Sequence, residues 1–134
     1  MDAITSFADP PFAVAPDIVL DLPAPISANV ARKINWAAHK RLTDWKRGAD
    51  GYVFAAKRRA INPIKLERVP RFELTVVLDE EFNDLDLDNS LKTLIDYLVW
   101  IGLIENDAKK NMRGLHVLWG EAPQGCRVIV RPCE

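Results

Sequence analysis

Between Asn83 and Asn89 the chain reads Asn-Asp-Leu-Asp-Leu-Asp-Asn, so acidic and apolar residues alternate from Asp84 to Asp88. In an extended backbone Asp84, Asp86 and Asp88 share one face, while Leu85 and Leu87 point to the other, toward a core. Asp86 and Asp88 then have Cα atoms about 6.6 Å apart, within reach of one hard cation or a pair of them. Carboxylates held that close repel unless a cation or a raised pKa relieves them, which makes magnesium or manganese the natural ligand. The same residues also suit a plainer purpose, a solvated turn in which Asp88 or Asn89 caps a helix starting beside Leu91. A calcium loop of the EF-hand type fails, because its sixth position is Asn89 rather than Gly and its twelfth is Ile95 rather than Glu.

Lys92 follows Asp88 by four residues and Asp96 follows Lys92 by four, so the three fall on one helix face. The ammonium can pair with Asp96 at the surface. Beside a cation site it can instead orient an attacking water or neutralise charge building on a phosphate. Beyond Gly102 the run Ile104-Glu-Asn-Asp107 brings further carboxylates, and a helix-turn return is expected to carry Asp107 back beside Asp86 and Asp88. His39 and His116 lack metal-ligand spacing. Cys126 and Cys133 lack the C-x-x-C spacing of a zinc or redox site and read as structural or incidental.

The elements that must position these residues follow from periodicity. Residues 1–16, broken by Pro10-Pro11 and Pro16, read as an N-terminal arm, and residues 17–134 as one domain. Asp17 to Leu22 reads as a strand. Val30, Ile34, Ala38, Leu42 and Trp45 recur at helical spacing, and Gly48 and Gly51 are expected to interrupt before a second helical piece from Tyr52 to Ala60. Phe72 to Leu78 reads as a largely buried strand. Leu91, Leu94, Ile95, Leu98 and Val99 mark the clearest helix, with Gly102 placed for a left-handed cap. His116 to Trp119 and Arg127 to Arg131 read as two short strands joined by a turn at Pro123 to Gly125. The expected fold class is α+β, a mixed sheet backed by helices in the order β-α-β-α-β-β.

The formal net charge of −1 hides a strong segregation. From Val30 to Arg71 twelve Lys or Arg stand against three acids, a local net of about +9, and from Asp79 to Asp107 nine acids stand against Lys92 alone, about −8. The basic half supplies candidate phosphate contacts in Arg32, Lys33, Lys57, Arg58 and Arg59, with solvated helix faces as the alternative. Trp36, Trp45, Trp100 and Trp119 read mostly as core residues with satisfied ring nitrogens. No apolar run approaches the roughly 20 residues of a membrane span, and no basic start with an apolar core marks a secretory signal, so a cytoplasmic location without membrane contact is expected.

Taken together, Asp86-Leu87-Asp88-Asn89-x-x-Lys92-x-x-x-Asp96-x-Leu98, then Gly102 and Asn106-Asp107-Ala108, resembles the signature of the RusA-type Holliday-junction resolvases, small endodeoxyribonucleases. The segment from Leu22-Pro-Ala-Pro25 to Asn29 is similar to the family's strand and the proline- and asparagine-rich turn after it. The acidic run Asp79-Glu-Glu81 with Asp84, and Glu105 ahead of Asn106, depart from the family's pattern. The resemblance implies a homodimer that binds four-way DNA junctions and nicks two strands symmetrically with magnesium or manganese. It implies metal-binding catalytic roles for Asp86, Asp88 and Asp107, a catalytic role for Lys92, and a bacterial, phage or prophage origin. Two alternatives stay open: a junction-binding module of the same fold that does not cleave, and a non-enzymatic cation-binding interaction domain.

Overall fold

The computed structural model describes residues 16–26, 36–58, 68–82 and 87–133, with the backbone alone for 87–90. Four strands and two helices alternate as β1 (Ile18–Pro23), α1 (Trp36–Lys57), β2 (Phe72–Leu78), α2 (Leu87–Trp100), β3 (Met112–Trp119) and β4 (Gly125–Pro132). The strands form one mixed sheet in the order β1-β4-β2-β3. This is the expected α+β single domain, a mixed sheet backed by helices.

β2 takes a central place because its alternation suits two neighbours. Phe72, Leu74, Val76 and Leu78 are wholly buried, and Glu73, Thr75 and Val77 turn to the other face. β3 lies parallel to β2 on one side and β4 antiparallel on the other. The last two strands therefore do not form a hairpin. The link from Trp119 to Gly125 crosses the end of β2, where Gly120 N–H donates to the Leu78 carbonyl at 2.9 Å and Asp79 N–H to the Gly125 carbonyl at 3.1 Å. The Asp79 carboxylate accepts from Ala122 N–H at 3.1 Å, which fixes the crossing. Gly125 has φ of 108°, and a Cβ there would stand 2.9 Å from the Ala24 nitrogen, so only glycine fits.

Both helices cover one face of the sheet. Leu20, Leu22, Val128 and Val130 from the strands meet Trp45, Ala49 and Val53 of α1 and Leu94, Tyr97 and Leu98 of α2 in one core. The expected break at Gly48 and Gly51 does not occur, since α1 runs unbroken through both. Trp45, Ala49 and Val53 recur every four residues across the glycines, and burial of this stripe outweighs a propensity cost of about 1 kcal/mol per glycine. The helical reading upstream of Trp36, like that of residues 59 and 60, lies outside the described residues, as does nearly all of the N-terminal arm.

α2 ends as the sequence implies. Gly102 has φ of 82°, its N–H donates to the Val99 carbonyl at 3.0 Å, and Leu103 N–H donates to the Leu98 carbonyl at 3.1 Å. That pair of bonds is a Schellman cap, sealed by the buried Leu98 and Leu103. The loop after it is pinned to the strand below: Val69 N–H donates to the Leu103 carbonyl, Glu105 N–H to the Val69 carbonyl, and Phe72 N–H to the Asn111 carbonyl. Among the described residues no helix is long and apolar enough to cross a membrane.

Candidate functional site

The acidic segment sits between the end of β2 and the start of α2. Asp84 and Asp86 lie outside the described residues, while Asp88 falls in the first turn of α2, which begins at Leu87. The extended reading therefore stops before Asp88, and the helix starts four residues earlier than the apolar pattern indicated. The reason is local: Asp, Asn and Ser favour the first turn, where free N–H groups and the helix dipole attract side-chain oxygens.

Lys92 lies one turn after Asp88 in α2 and is exposed, opposite the buried Leu94 and Leu98. Its Nζ stands 3.3 Å from Asp96 Oδ1, with both side chains more than half exposed. The plain surface pair thus forms, and an exposed pair of this kind contributes at most about 0.5 kcal/mol, so it yields readily to a competing anion.

Asp107 lies past the other end of the helix. Its side chain is exposed, and its N–H donates to Asn106 Oδ1 at 2.7 Å. From Asp88 to Trp100 the helix rises roughly 18 Å, and the Schellman cap and the pinned loop keep Asp107 beyond its far end. The expected return of Asp107 beside Asp86 and Asp88 involves Asp86 and an Asp88 side chain that lie outside the described residues. Among the described residues no three His, Cys, Asp or Glu side chains group closely enough to hold a metal ion. Asp86 and the Asp88 side chain are not among these residues, and Asp86-x-Asp88 remains a candidate donor set, rich in the hard oxygens that magnesium prefers.

α1 presents the basic surface. Lys40, Arg41, Arg47, Lys57 and Arg58 are exposed along it, with the Arg58 guanidinium 5.3 Å from the centre of the Phe54 ring. Arg32, Lys33 and Arg59 lie outside the described residues. Only Trp45 of the four tryptophans is in the core, its ring N–H donating to the Pro23 carbonyl at 3.2 Å. Trp36, Trp100 and Trp119 are 76%, 62% and 41% exposed, contrary to the expectation that most are core: the first two stand at helix ends and the third ends the edge strand β3.

Trp45 meets Tyr97 edge to face at 5.0 Å, and the Tyr97 hydroxyl donates to Asp50 at 2.6 Å, locking α1 onto α2. Burial, and then the bond to Asp50, raises the Tyr97 pKa well above its ordinary value. On the uncovered face of the sheet Arg127 forms a bidentate pair with Asp21 at 2.8 and 3.1 Å, and that bond holds its pKa above the ordinary value. What the sequence did not reveal is the outer edge of β3, whose exposed Leu115, Leu118 and Trp119 belong to a strand with no described neighbour beyond it. The consecutive apolar residues of that strand were the available signal. No family model matches the chain, and no curated protein does.

Proposed function

We propose that this chain is a magnesium-dependent, structure-specific DNA endonuclease that acts as a homodimer on four-way junctions. The observation that carries the reading is the stripe Asp88, Lys92, Asp96 at the start of α2, directly after Asp86. The spacing resembles that of the junction resolvases, and the stripe rides on a helix whose opposite side is locked in the core. Asp86 and Asp88 would hold magnesium or manganese, which would supply a water of lowered pKa and positive charge beside the phosphate. Lys92, held by one weak exposed contact, is free to meet that charge. The cations of α1 hold the DNA backbone at a distance from the acidic segment, which by itself repels phosphate.

The separation of Asp107 from Asp88 gives weight to the second reading, a junction-binding module that does not cut. Nicking of a synthetic four-way junction and a matched linear duplex, with magnesium or chelator, by the natural chain and Asp88→Asn, decides between them. Paired, magnesium-dependent nicks confined to the junction and abolished by Asp88→Asn support the nuclease. Junction binding without nicks supports the module. Neither binding nor nicking, with thermal stability that still rises on adding magnesium, indicates a cation-binding interaction domain.

A further inference from the structure

We propose that the uncovered face of the sheet binds a free α-amino acid with an apolar side chain, its ammonium on Glu73 and its carboxylate on Arg131. The helices cover one side of the sheet, and the strand register lays out the other side as a grid. Gly114, Glu73 and Arg131 form one row across β3, β2 and β4; His116, Thr75 and Ile129 form the next; Leu118, Val77 and Arg127 form the third. A cleft of about 260 Å³ opens among Glu73, Thr75, His116, Leu118, Ile129 and Arg131. It falls below the roughly 300 to 1,000 Å³ of sites for drug-sized ligands, so its occupant is a small molecule.

The two arginines of this face differ in how far they are satisfied. Asp21 engages Arg127 through two bonds, at 2.8 and 3.1 Å. Arg131 reaches Asp17 only at 3.4 and 3.3 Å, through Nε and Nη2, and its side chain is 63% exposed. Its Nη1 has no partner among the described residues. Glu73 stands opposite Arg131 in the ladder, yet no hydrogen bond or ion pair joins the two. The cause is the neighbour on the other side: Glu73 leans over Gly114, where a Cβ would meet its Cγ at 3.3 Å. The bare backbone of Gly114 thus lets a carboxylate and a guanidinium line the same cleft without neutralising each other.

That pair of separated charges specifies the ligand. Opposite residues of antiparallel strands hold their Cβ atoms about 5 Å apart, a span that an ammonium and a carboxylate on one carbon can bridge. The ammonium donates to Glu73, and the carboxylate accepts from the Arg131 Nη1 that Asp17 leaves unused. The ligand's side chain then passes over Thr75 onto Ile129 and the exposed Leu118, so apolar burial adds to two exposed ion pairs. A polyanion is the wrong partner here, because Asp17, Asp21 and Glu73 outnumber Arg127 and Arg131 on this face. Since the face is turned away from α1 and α2, the inference stands apart from the endonuclease reading.

The test is an NMR titration of the backbone amides of the full chain with leucine, with N-acetylleucine, which lacks the ammonium, and with leucinamide, which lacks the carboxylate. Leucine is expected to shift the amides of residues 73–75, 114–118 and 129–131 with a Kd on the order of 1 mM, and each analogue to bind about fivefold more weakly or worse. Glycine, with no side chain to bury, is expected to bind more weakly as well. Glu73→Ala is expected to erase the preference for leucine over N-acetylleucine, and Arg131→Ala the preference over leucinamide. Both positions are exposed, and thermal unfolding verifies that the variants fold. No shift at about 20 mM leucine overturns the proposal, as do analogues that bind as tightly as leucine to the natural chain. Preferences that survive both variants, or a deoxynucleoside monophosphate that shifts the same amides more strongly than leucine, overturn it too. None of these readouts depends on nicking, so the two readings fail separately.

Discussion

The two helices cover the same sheet and do opposite things. α2 spends its 14 residues on the core, burying Thr93, Leu94, Ile95, Tyr97 and Leu98 and leaving a narrow solvent stripe with Lys92 and Asp96. α1 is 22 residues long, yet it buries only Ala38, Trp45, Ala49 and Val53, and its exposed surface includes Lys40, Arg41, Arg47 and Lys57 with Trp36 and Phe54. A side chain on α2 is therefore held in place by packing on the other side of its own helix, which suits chemistry. A side chain on α1 adds charge to a broad surface, which suits affinity.

That contrast breaks first at the core. Leu98→Ala removes a wholly buried side chain under the Schellman cap and is expected to cost about 3 to 4 kcal/mol in urea unfolding. Val53→Ala on α1, with less to lose, is expected to cost about 1 to 2 kcal/mol. Equal costs would show that α1 is as deeply anchored as α2.

Alkali tests the core from the sheet side. Burial pushes the Cys126 thiol up to about 12 from an ordinary 9.0. A raised folded pKa means the folded chain favours the protonated thiol. This contribution to stability is full below 9.0 and is lost as pH rises toward about 12. Unfolding midpoints measured across that range are expected to fall, and Cys126→Ala to flatten the fall. In the native chain the partly exposed Cys133 reacts first with a thiol reagent.

The contact between the helices is worth less. Tyr97→Phe removes the hydroxyl bond to Asp50 while keeping the ring against Trp45, for an expected loss of about 1 kcal/mol. Smallest of all in stability is the pair Lys57→Ala with Arg58→Ala, expected to stay within about 0.5 kcal/mol of the natural chain. In DNA binding the order reverses. If both cations touch phosphates, the salt dependence of binding shallows by about two counterions, whereas Lys92→Ala reduces nicking and leaves that slope nearly unchanged.

Much of the site's framework was legible in the residues. The alternation from Phe72 to Leu78 marked β2 to the residue, and the spacing of Leu91, Leu94, Ile95 and Leu98 with Gly102 marked α2 and its cap. These are local codes, read from periods of two and 3.6 and from the one residue that tolerates positive φ. The start of α2 at Leu87 was missed because the aspartate ladder obeys a period of two in sequence while its last members take helical backbone.

The chain's own sequence thus determined its α+β class, the order of its elements, the helix that carries Lys92, and the division of charge between a basic first half and an acidic middle. Tertiary structure alone decided that β4 inserts between β1 and β2, that α1 continues through Gly48 and Gly51, and that three of four tryptophans stay exposed. It also decided that Asp88 and Asp107 stand at opposite ends of α2. The reason is the same in each case: local periodicity tells which face of an element is apolar, but which partner covers that face depends on pairings between residues far apart in the chain.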